Sequence, residues 1–204
     1  MSQNLQEVKI TTADPSALGL LGLAMVTLVA SSSKLGWTDG TTLIIPWALF
    51  LGATAQLMAC IYDFKKNNIF GATAFGGYAM FWYAVALTWM LKGGFFGADI
   101  AAACDDRQLG FAFLGYLIFS LYMTIASAET SKVLFAILIL IDLLFLGLTM
   151  STFGIAKEGF HALAGWSEFG IAILSFYGSA ACVLNTMFGR AFLPTGKPLG
   201  IFKK

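Results

Sequence analysis

Charge is scarce in this 204-residue chain. Only 11% of the residues are charged, whereas 58% are hydrophobic and the mean hydropathy is +0.80. A soluble domain carries about 25% charged residues, so the composition excludes that class and indicates an integral membrane protein. The net charge of +1 and the scattered Lys and Arg also exclude a nucleic-acid partner, because binding phosphates requires clustered cations.

Cysteine and histidine are also scarce. Cys60, Cys104 and Cys182 form no CxxC pair, which excludes a disulfide framework or a zinc site, and we interpret them as small buried residues. No Ser-His-Asp or HExxH arrangement surrounds His161, the single histidine. We therefore expect no catalytic residues, no metal and no cofactor. His161 is interpreted as structural, with a proton-sensing role as the alternative.

Long apolar runs, in contrast, are abundant. Six segments have the length of a membrane-spanning helix, about 20 residues, and exceed the length of barrel strands. They cover residues 17–33, 41–62, 72–91, 109–128, 133–153 and 162–187. We predict an all-α polytopic membrane protein with six transmembrane helices per protomer (17–187), an N-terminal tail (1–16) and a C-terminal tail (188–204). Short loops, one of them holding Asp63, should make neighbouring helices antiparallel.

The distribution of Lys and Arg predicts the orientation. Eight lie on one side: Lys9, Lys65, Lys66, Lys132, Arg190, Lys197, Lys203 and Lys204. Four lie on the other side: Lys34, Lys92, Arg107 and Lys157. Because positive loops stay inside, both termini should be cytoplasmic in a cell membrane.

Several polar or small residues fall inside the predicted helices. Gln56 and Asn185 either bridge helices or line a pore, where their amides suit carboxylate or carbonyl oxygens. Asp142 lies in mid-span, where an ionisable group is costly, and either bridges helices or carries a proton. Glu168 has the same two interpretations. Gly76 and Gly77 either allow close helix packing or break a helix and expose its backbone to a solute.

Five stretches carry a family resemblance: ADPSALGL before the first span, GATAQLMA around Gln56, YDFKKNNIFGATAFGGYAMFW, HALAGW and LNTMFGRAFLPTG. From about Asp14 to Gly196 the chain resembles the acetate uptake transporter family, also called succinate-acetate permeases. The resemblance implies a six-helix protomer that assembles as a homohexamer. Each protomer would hold its own path for acetate and related small monocarboxylates, in some cases succinate, and coupling to protons is usually inferred.

The resemblance also implies positions along the solute path. An apolar constriction between the first, third and fifth helices would consist of Leu23, Tyr78 and Ile141. Gln56 and Gly77 would lie beside the path. The family's opening motif is NPAPLGL, whereas here Asp14 replaces the asparagine and Ala17 replaces the second proline; at the constriction, Leu23 stands where the family has phenylalanine.

A bare carboxylate in hydrocarbon is prohibitively costly, so a path must replace water by hydrogen-bond donors and then pass a dry constriction. The donors we expect are Gln56, Tyr78, Asn185 and backbone N–H groups after Pro15, among them those of Leu18 and Gly19. Asp142, adjacent to Ile141, would carry a proton with the solute. A passive channel for small neutral solutes such as urea is the alternative function. A membrane enzyme would need a convergent nucleophile and base, and the sequence shows none.

Overall fold

The computed structural model describes residues 11–202, which form a bundle of six long helices. The helices are α1 (Ser16–Lys34), α2 (Ile44–Lys65), α3 (Ile69–Lys92), α4 (Asp106–Ser127), α5 (Lys132–Thr152) and α6 (Lys157–Phe188). Each is long and apolar enough to cross a membrane, which confirms the six predicted transmembrane helices. Residues 1–10 and 203–204, which contain Lys9, Lys203 and Lys204 of the charge count, lie outside the described residues.

The helices pack in chain order around the bundle, and α6 closes the arrangement against α1. Short connections make neighbouring helices antiparallel. We call the end where α1, α3 and α5 begin the near end, and the opposite end the far end. Lys66 and Lys132 mark the near end, and Lys34 and Lys92 mark the far end. The far end also carries a short loop helix, Ala98–Ala102.

Several helix boundaries differ from the predicted ones, two of them because of capping and burial. α3 begins at Ile69, and the Asn68 side chain caps it by accepting a hydrogen bond from the Gly71 N–H at 3.3 Å. Asp63, predicted to lie in a loop, is instead in the last turns of α2 and only 1% exposed. It is held there by Asn68, whose Nδ2 donates to Asp63 Oδ1 at 2.9 Å. α6 likewise starts at Lys157, before the predicted residue 162.

Glycine allows close contact between helices at Gly22 and at the pair Gly76 and Gly77. At the pair, the structure distinguishes between helix packing and a helix break. A side chain at Gly22 of α1 would collide with the backbone carbonyl of Leu51 in α2. Gly76 and Gly77 lie inside the continuous helix α3, where a Cβ on Gly77 would come within 2.6 Å of the Phe119 ring. The packing interpretation is therefore confirmed at Gly76 and Gly77, and a helix break at this position is wrong.

A π-helical stretch, Ala48–Ala55, interrupts α2 and was not predicted from the sequence. The Thr54 hydroxyl donates to the Leu49 carbonyl at 2.7 Å. The separation of five residues matches the turn of a π-helix. Such stretches are rare and frequently mark functional sites in α-helices. Gln56 comes directly after this one.

Past α6, the chain folds back over the near end. The Asn185 amide both donates to the Leu193 carbonyl at 2.9 Å and accepts from the Leu193 N–H at 2.8 Å. Tyr177 donates its hydroxyl to the Pro194 carbonyl at 2.8 Å. Further along, the Leu199 N–H donates to the Ala128 carbonyl at 2.8 Å. These bonds fasten the C-terminal segment to α6 and to the loop between α4 and α5.

Two exposed ion pairs stabilise the far end of α4. Asp105 caps the helix by accepting from the Arg107 N–H at 2.9 Å, and its carboxylate also lies 3.0 Å from Arg107 Nη2. These hydrogen bonds from Arg107 hold the pKa of Asp105 below its ordinary value. Lys92 at the end of α3 lies 2.6 Å from Asp106 Oδ1.

Candidate functional site

A cavity of about 230 Å³ opens from the near end into the bundle. Its wall is mostly apolar, with a few polar side chains. The polar lining residues are Ser16, Gln56, Asn68, Tyr78 and Thr130. The apolar ones are Leu20, Leu23, Phe70, Gly71, Ala74, Phe75, Leu134, Ile137, Leu138 and Ile141. α1, α2, α3 and α5 thus enclose a concave site of the kind that holds small molecules.

Three residues separate this cavity from a second, much smaller one. Leu23, Tyr78 and Ile141 line both, and they are 6%, 5% and 3% exposed. The second cavity has a volume of about 20 Å³. Since a single water needs roughly 10–15 Å³, this space accommodates about one water and no carboxylate. Leu23, Tyr78 and Ile141 therefore form an apolar constriction, which we call the inner constriction.

A third cavity of about 120 Å³ continues toward the far end. Phe81, Trp82 and Leu144 line both it and the small second cavity, so they form an outer constriction. Lys34 and Glu168 stand in the wall of this third cavity. The three cavities therefore lie in series along the bundle, joined by two closed apolar constrictions.

The ring of Tyr78 is held in the inner constriction from several sides. Its hydroxyl lies 2.9 Å from Ser120 Oγ of α4, a buried hydrogen bond. The ring stacks with Phe145 of α5 and meets Phe119 of α4 edge-on, with centroids 6.5 Å and 5.3 Å away. Tyr78 thus links α3, α4 and α5, and its hydroxyl already has a partner in this closed state.

Gln56 is fully buried in the wall of the first cavity. Its Nε2 donates to the Gly52 carbonyl at 2.7 Å, while its Oε1 has no hydrogen-bond partner. The carbonyl of Gly52 can only accept, which fixes the amide with nitrogen toward Gly52. A buried acceptor without a partner is costly, so Oε1 is suited to a donor that enters the cavity, such as water or the hydroxyl of a carboxylic acid.

A buried carboxyl group supports the near-end wall of the first cavity. The Oδ2 atom of Asp63 has no hydrogen-bond partner and would collide with any side chain placed at Gly71. Asn68 joins Asp63 to the first turn of α3, and both Asn68 and Gly71 line the cavity. Asp63 therefore fixes the beginning of α3, although it does not itself line the cavity.

The third cavity contains a buried ion pair between α1 and α6. Lys34 Nζ lies 2.8 Å from Glu168 Oε2, and the two side chains are 18% and 2% exposed. Lys34 is the last residue of α1, where the helix dipole favours a cation. The pair explains how a glutamate is tolerated inside α6.

The sequence was compared with models of known protein families. The profile of the GPR1/FUN34/yaaH family matches residues 2–194, nearly the whole chain. The chain belongs to the GPR1/FUN34/yaaH family. This membership confirms the resemblance to acetate transporters seen in the sequence motifs.

Within the GPR1/FUN34/yaaH family, several relatives carry functional names. The chain is 31% identical over 187 residues to the succinate-acetate/proton symporter SatP of Escherichia coli, covering 91% of this chain and 96% of the relative. It is 30% identical over 143 residues to acetate permease A of Emericella nidulans, covering 66% of this chain and 47% of the relative. The solved structure of the bacterial acetate channel SatP superposes with a TM-score of 0.84 at 27% identity, covering 91% of this chain and 100% of that chain.

The structure brings together four of the residues predicted for the path of this family member. Leu23, Tyr78 and Ile141 come from α1, α3 and α5 and meet at the inner constriction. Gln56 lines the first cavity beside them. Their roles in transport stay predictions, but their positions are those that the resemblance implies.

Other predicted solute contacts lie elsewhere. Gly77 faces Phe119 of α4, away from the first cavity. The N–H groups of Leu18 and Gly19 both donate to the Pro15 carbonyl at 3.1 Å, so neither is a free donor. The nitrogen and the oxygen of the Asn185 amide are both hydrogen-bonded to the backbone of Leu193. For these positions the structure favours a packing or fastening role over solute binding.

The two candidates for a proton-linked role also differ in position. Asp142 accepts a hydrogen bond from the Thr124 hydroxyl at 2.7 Å, and neither residue lines any of the three cavities. Although Asp142 follows Ile141 in sequence, one residue turns the helix by about 100°, so its side chain faces α4. His161 lies in the first turns of α6, near the positive charges of Lys34 and Lys157.

Sequence reasoning missed three residues that matter in this arrangement. Ser120 anchors Tyr78, Asp63 fixes the start of α3, and Lys34 neutralises Glu168. A signal existed for Lys34, because a glutamate inside an apolar helix requires a cation within reach. No local signal existed for Ser120, since a serine in a membrane helix commonly bonds to its own backbone.

Proposed function

We propose that this protein transports acetate and related small carboxylates, succinate among them, through a path inside each protomer. The series of three cavities is the observation that carries the proposal. It runs from the near end to the far end and is interrupted only by two apolar constrictions. The names of the relatives, a succinate-acetate/proton symporter and an acetate permease, support the solute class.

The first cavity fits a small carboxylate by volume and chemistry. At about 230 Å³ it accommodates a two-carbon acid together with several waters, each of which takes about 30 Å³. Apolar side chains such as Leu20 and Phe75 suit the methyl group of acetate. The unpartnered Oε1 of Gln56 suits the acidic proton of a neutral acid or a water that accompanies the anion.

The inner constriction acts as the selective barrier. A hydrated anion loses its waters among Leu23, Tyr78 and Ile141, and an apolar passage blocks ions by dewetting. Transport therefore requires these side chains to move apart, and the neutral form of the acid crosses most cheaply. On this basis we propose that protons accompany the solute, in agreement with the symporter name of the relative.

The membrane context is part of the same proposal. We place the near end, with Lys65, Lys66 and Lys132, on the cytoplasmic side of a cell membrane by the positive-inside rule. We also propose a homohexamer in which each protomer keeps its own path. α4 has the smallest buried share of the six helices, so much of its apolar surface is available to lipid or to a neighbouring protomer.

Uptake of labelled acetate into proteoliposomes tests the proposal. The intact protein is compared with Tyr78→Ala and Gln56→Ala, with and without an imposed proton gradient. Tyr122→Ala and Gln108→Ala are the matched controls, because both residues are exposed and line none of the three cavities. We expect the path variants to change acetate flux and the controls to leave it unchanged.

The outcomes separate the candidate functions. Accumulation above equilibrium that needs the gradient means a proton-coupled carrier, and gradient-independent equilibration means a selective channel. Urea flux as fast as acetate flux would instead favour the passive channel for neutral solutes. An absence of acetate flux under every condition contradicts the proposal.

A further inference from the structure

The ion pair between Lys34 and Glu168 joins two helices and also lines an internal cavity. Lys34 and Glu168 approach to 2.8 Å with little access to water, and both line a space of about 120 Å³. The remaining wall is apolar apart from Thr88, with Trp82, Trp89 and Phe113 among its members. Lys34 thus binds the Glu168 carboxylate directly at the wall of this cavity, and the cavity is large enough for a small acid.

The energetics of such a pair favour exchange of one carboxylate for another. Removing the partner of a buried charge is strongly destabilising, because the remaining charge is left without compensation. Lys34 therefore does not release Glu168 into a dry cavity unless another anion takes its place. A small carboxylate solute presents the same two oxygens as the Glu168 side chain, so it satisfies Lys34 equally well.

Charge balance then requires a proton. Lys34 with ionised Glu168 is neutral, and an added carboxylate gives the site a net charge of −1, which the apolar wall disfavours. Protonation of Glu168 restores neutrality, with Lys34 positive, the solute negative and Glu168 uncharged. One proton and one carboxylate therefore enter the site together.

We propose that Lys34 is a carboxylate-binding residue of the third cavity and that Glu168 is its proton-dependent internal competitor. The inference rests on the proposed function and adds a second solute site, at the far end, with a defined place for the proton. Glu168 binds Lys34 when the site is empty. When a carboxylate arrives, Glu168 takes up a proton and yields Lys34 to the solute, and departure of the solute reverses both steps.

Among the described residues, few other ionisable groups lie near this pair. α1 contributes Lys34 itself, and α6 contributes His161, which lies near both Lys34 and Lys157. The cavity residues from α3, α4 and α5 carry no charge: they are Phe81, Trp82, Val85, Thr88, Trp89, Leu109, Phe113, Leu144 and Leu148. Glu168 is therefore the group assigned to take up the proton. His161 is the second ionisable group whose substitution is compared with that of Glu168.

Acetate uptake into proteoliposomes with equal pH inside and outside tests the inference, over pH values at which free acetate is fully ionised. For the intact protein, the half-saturating acetate concentration should rise with pH, approaching about tenfold per pH unit for one linked proton. Glu168→Gln mimics the protonated side chain and should flatten this dependence. Lys34→Met should raise the half-saturating concentration at least about tenfold at every pH. His161→Gln should keep the dependence of the intact protein.

Asp106→Asn is the matched control, because Lys92 and Asp106 form an exposed ion pair at the same end of the bundle. It should behave like the intact protein. If the intact protein transports acetate and Glu168→Gln keeps the full pH dependence, the inference is wrong while the proposed function stands. If the intact protein transports no acetate, both are overturned.

An infrared difference measurement on the intact protein does not depend on the folding of any variant. Adding carbon-13 acetate should produce the band of a newly protonated protein carboxyl group. The band should persist in Asp142→Asn and Asp63→Asn, which remove the other carboxyl groups inside the bundle that have unpartnered buried oxygens. Absence of the band in the intact protein, or its loss in Asp142→Asn or Asp63→Asn, contradicts the inference.

Discussion

The hydroxyl of Tyr78 and the Oγ of Ser120 lie 2.9 Å apart, and this buried bond ties the inner constriction to α4. Every other contact of the Tyr78 ring described above is apolar. The bond is therefore the polar interaction that keeps the ring across the path. Opening the constriction by moving Tyr78 has to break it.

Tyr78→Phe and Ser120→Ala should each increase acetate flux. Either substitution removes the hydrogen bond but keeps the aromatic ring, and a net bond strength of about 1 kcal/mol corresponds to a roughly fivefold easier opening. The measurement is the initial rate of labelled acetate entry into proteoliposomes. Ser127→Ala is the control on the same helix, since the Ser127 hydroxyl donates to the Thr124 carbonyl of its own helix and the substitution keeps the backbone bonds. Equal or lower flux in both variants would show that Tyr78 does not move during transport.

Leu23→Ala should broaden the range of acids that are transported. The substitution removes three carbon atoms from the inner constriction without adding a polar group. Competition of propionate, butyrate and succinate with labelled acetate measures the change, and the longer acids should gain relative to acetate. Leu21→Ala is the matched control, because Leu21 lies on the same helix, is 37% exposed and lines none of the three cavities. An unchanged order of inhibition in Leu23→Ala would place selectivity elsewhere.

Asp142→Asn should leave acetate uptake and its pH dependence unchanged. The Thr124 hydroxyl, which donates to Asp142 at 2.7 Å, can donate equally to an asparagine oxygen. Asp142→Leu removes that acceptor from the half-buried Thr124 hydroxyl and should lower the free energy of unfolding by about 1 kcal/mol, the net strength of one hydrogen bond. Uptake between pH 5 and pH 8 and melting in detergent check both points. A lost pH dependence in Asp142→Asn would instead support the proton-carrier role predicted for it from the sequence.

Gly22→Ala should destabilise the bundle, because the added methyl group collides with the Leu51 carbonyl and forces α1 from α2. Overpacking of this kind typically costs about 1–3 kcal/mol. Gly115→Ala on α4 is the control, since a methyl group there meets open space. Thermal unfolding of the two variants in the same detergent should separate them clearly. Similar melting of both would mean that α1 and α2 can separate at little cost.

The part of this architecture set by local composition could be predicted, and the part set by contacts between helices could not. Six runs of apolar residues suffice to place six helices, because the bilayer fixes their length. The meeting of Leu23, Tyr78 and Ile141 followed from the family resemblance. Composition alone does not orient three separate helices toward one point.

Long-range pairing explains the remaining differences. Lys34 and Glu168 lie 134 residues apart in the chain, so neither sequence neighbourhood contains the other. Asp63 was placed in a loop because a charged residue near the end of an apolar run usually faces water. In the folded chain Asn68 turns back to bind it, and the carboxyl group becomes buried. The π-helical stretch directly before Gln56 also could not be predicted, because no hydrophobic period reveals its wider turn.

The two constrictions on either side of the 20 Å³ cavity behave kinetically like two resistances in series. Widening one of them speeds the overall flux only until the other becomes limiting. A single substitution at Leu23 or Tyr78 therefore has an upper bound on its effect, set by Phe81, Trp82 and Leu144. It also follows that opening one barrier by thermal fluctuation gives no continuous path, because the other barrier still closes the bundle.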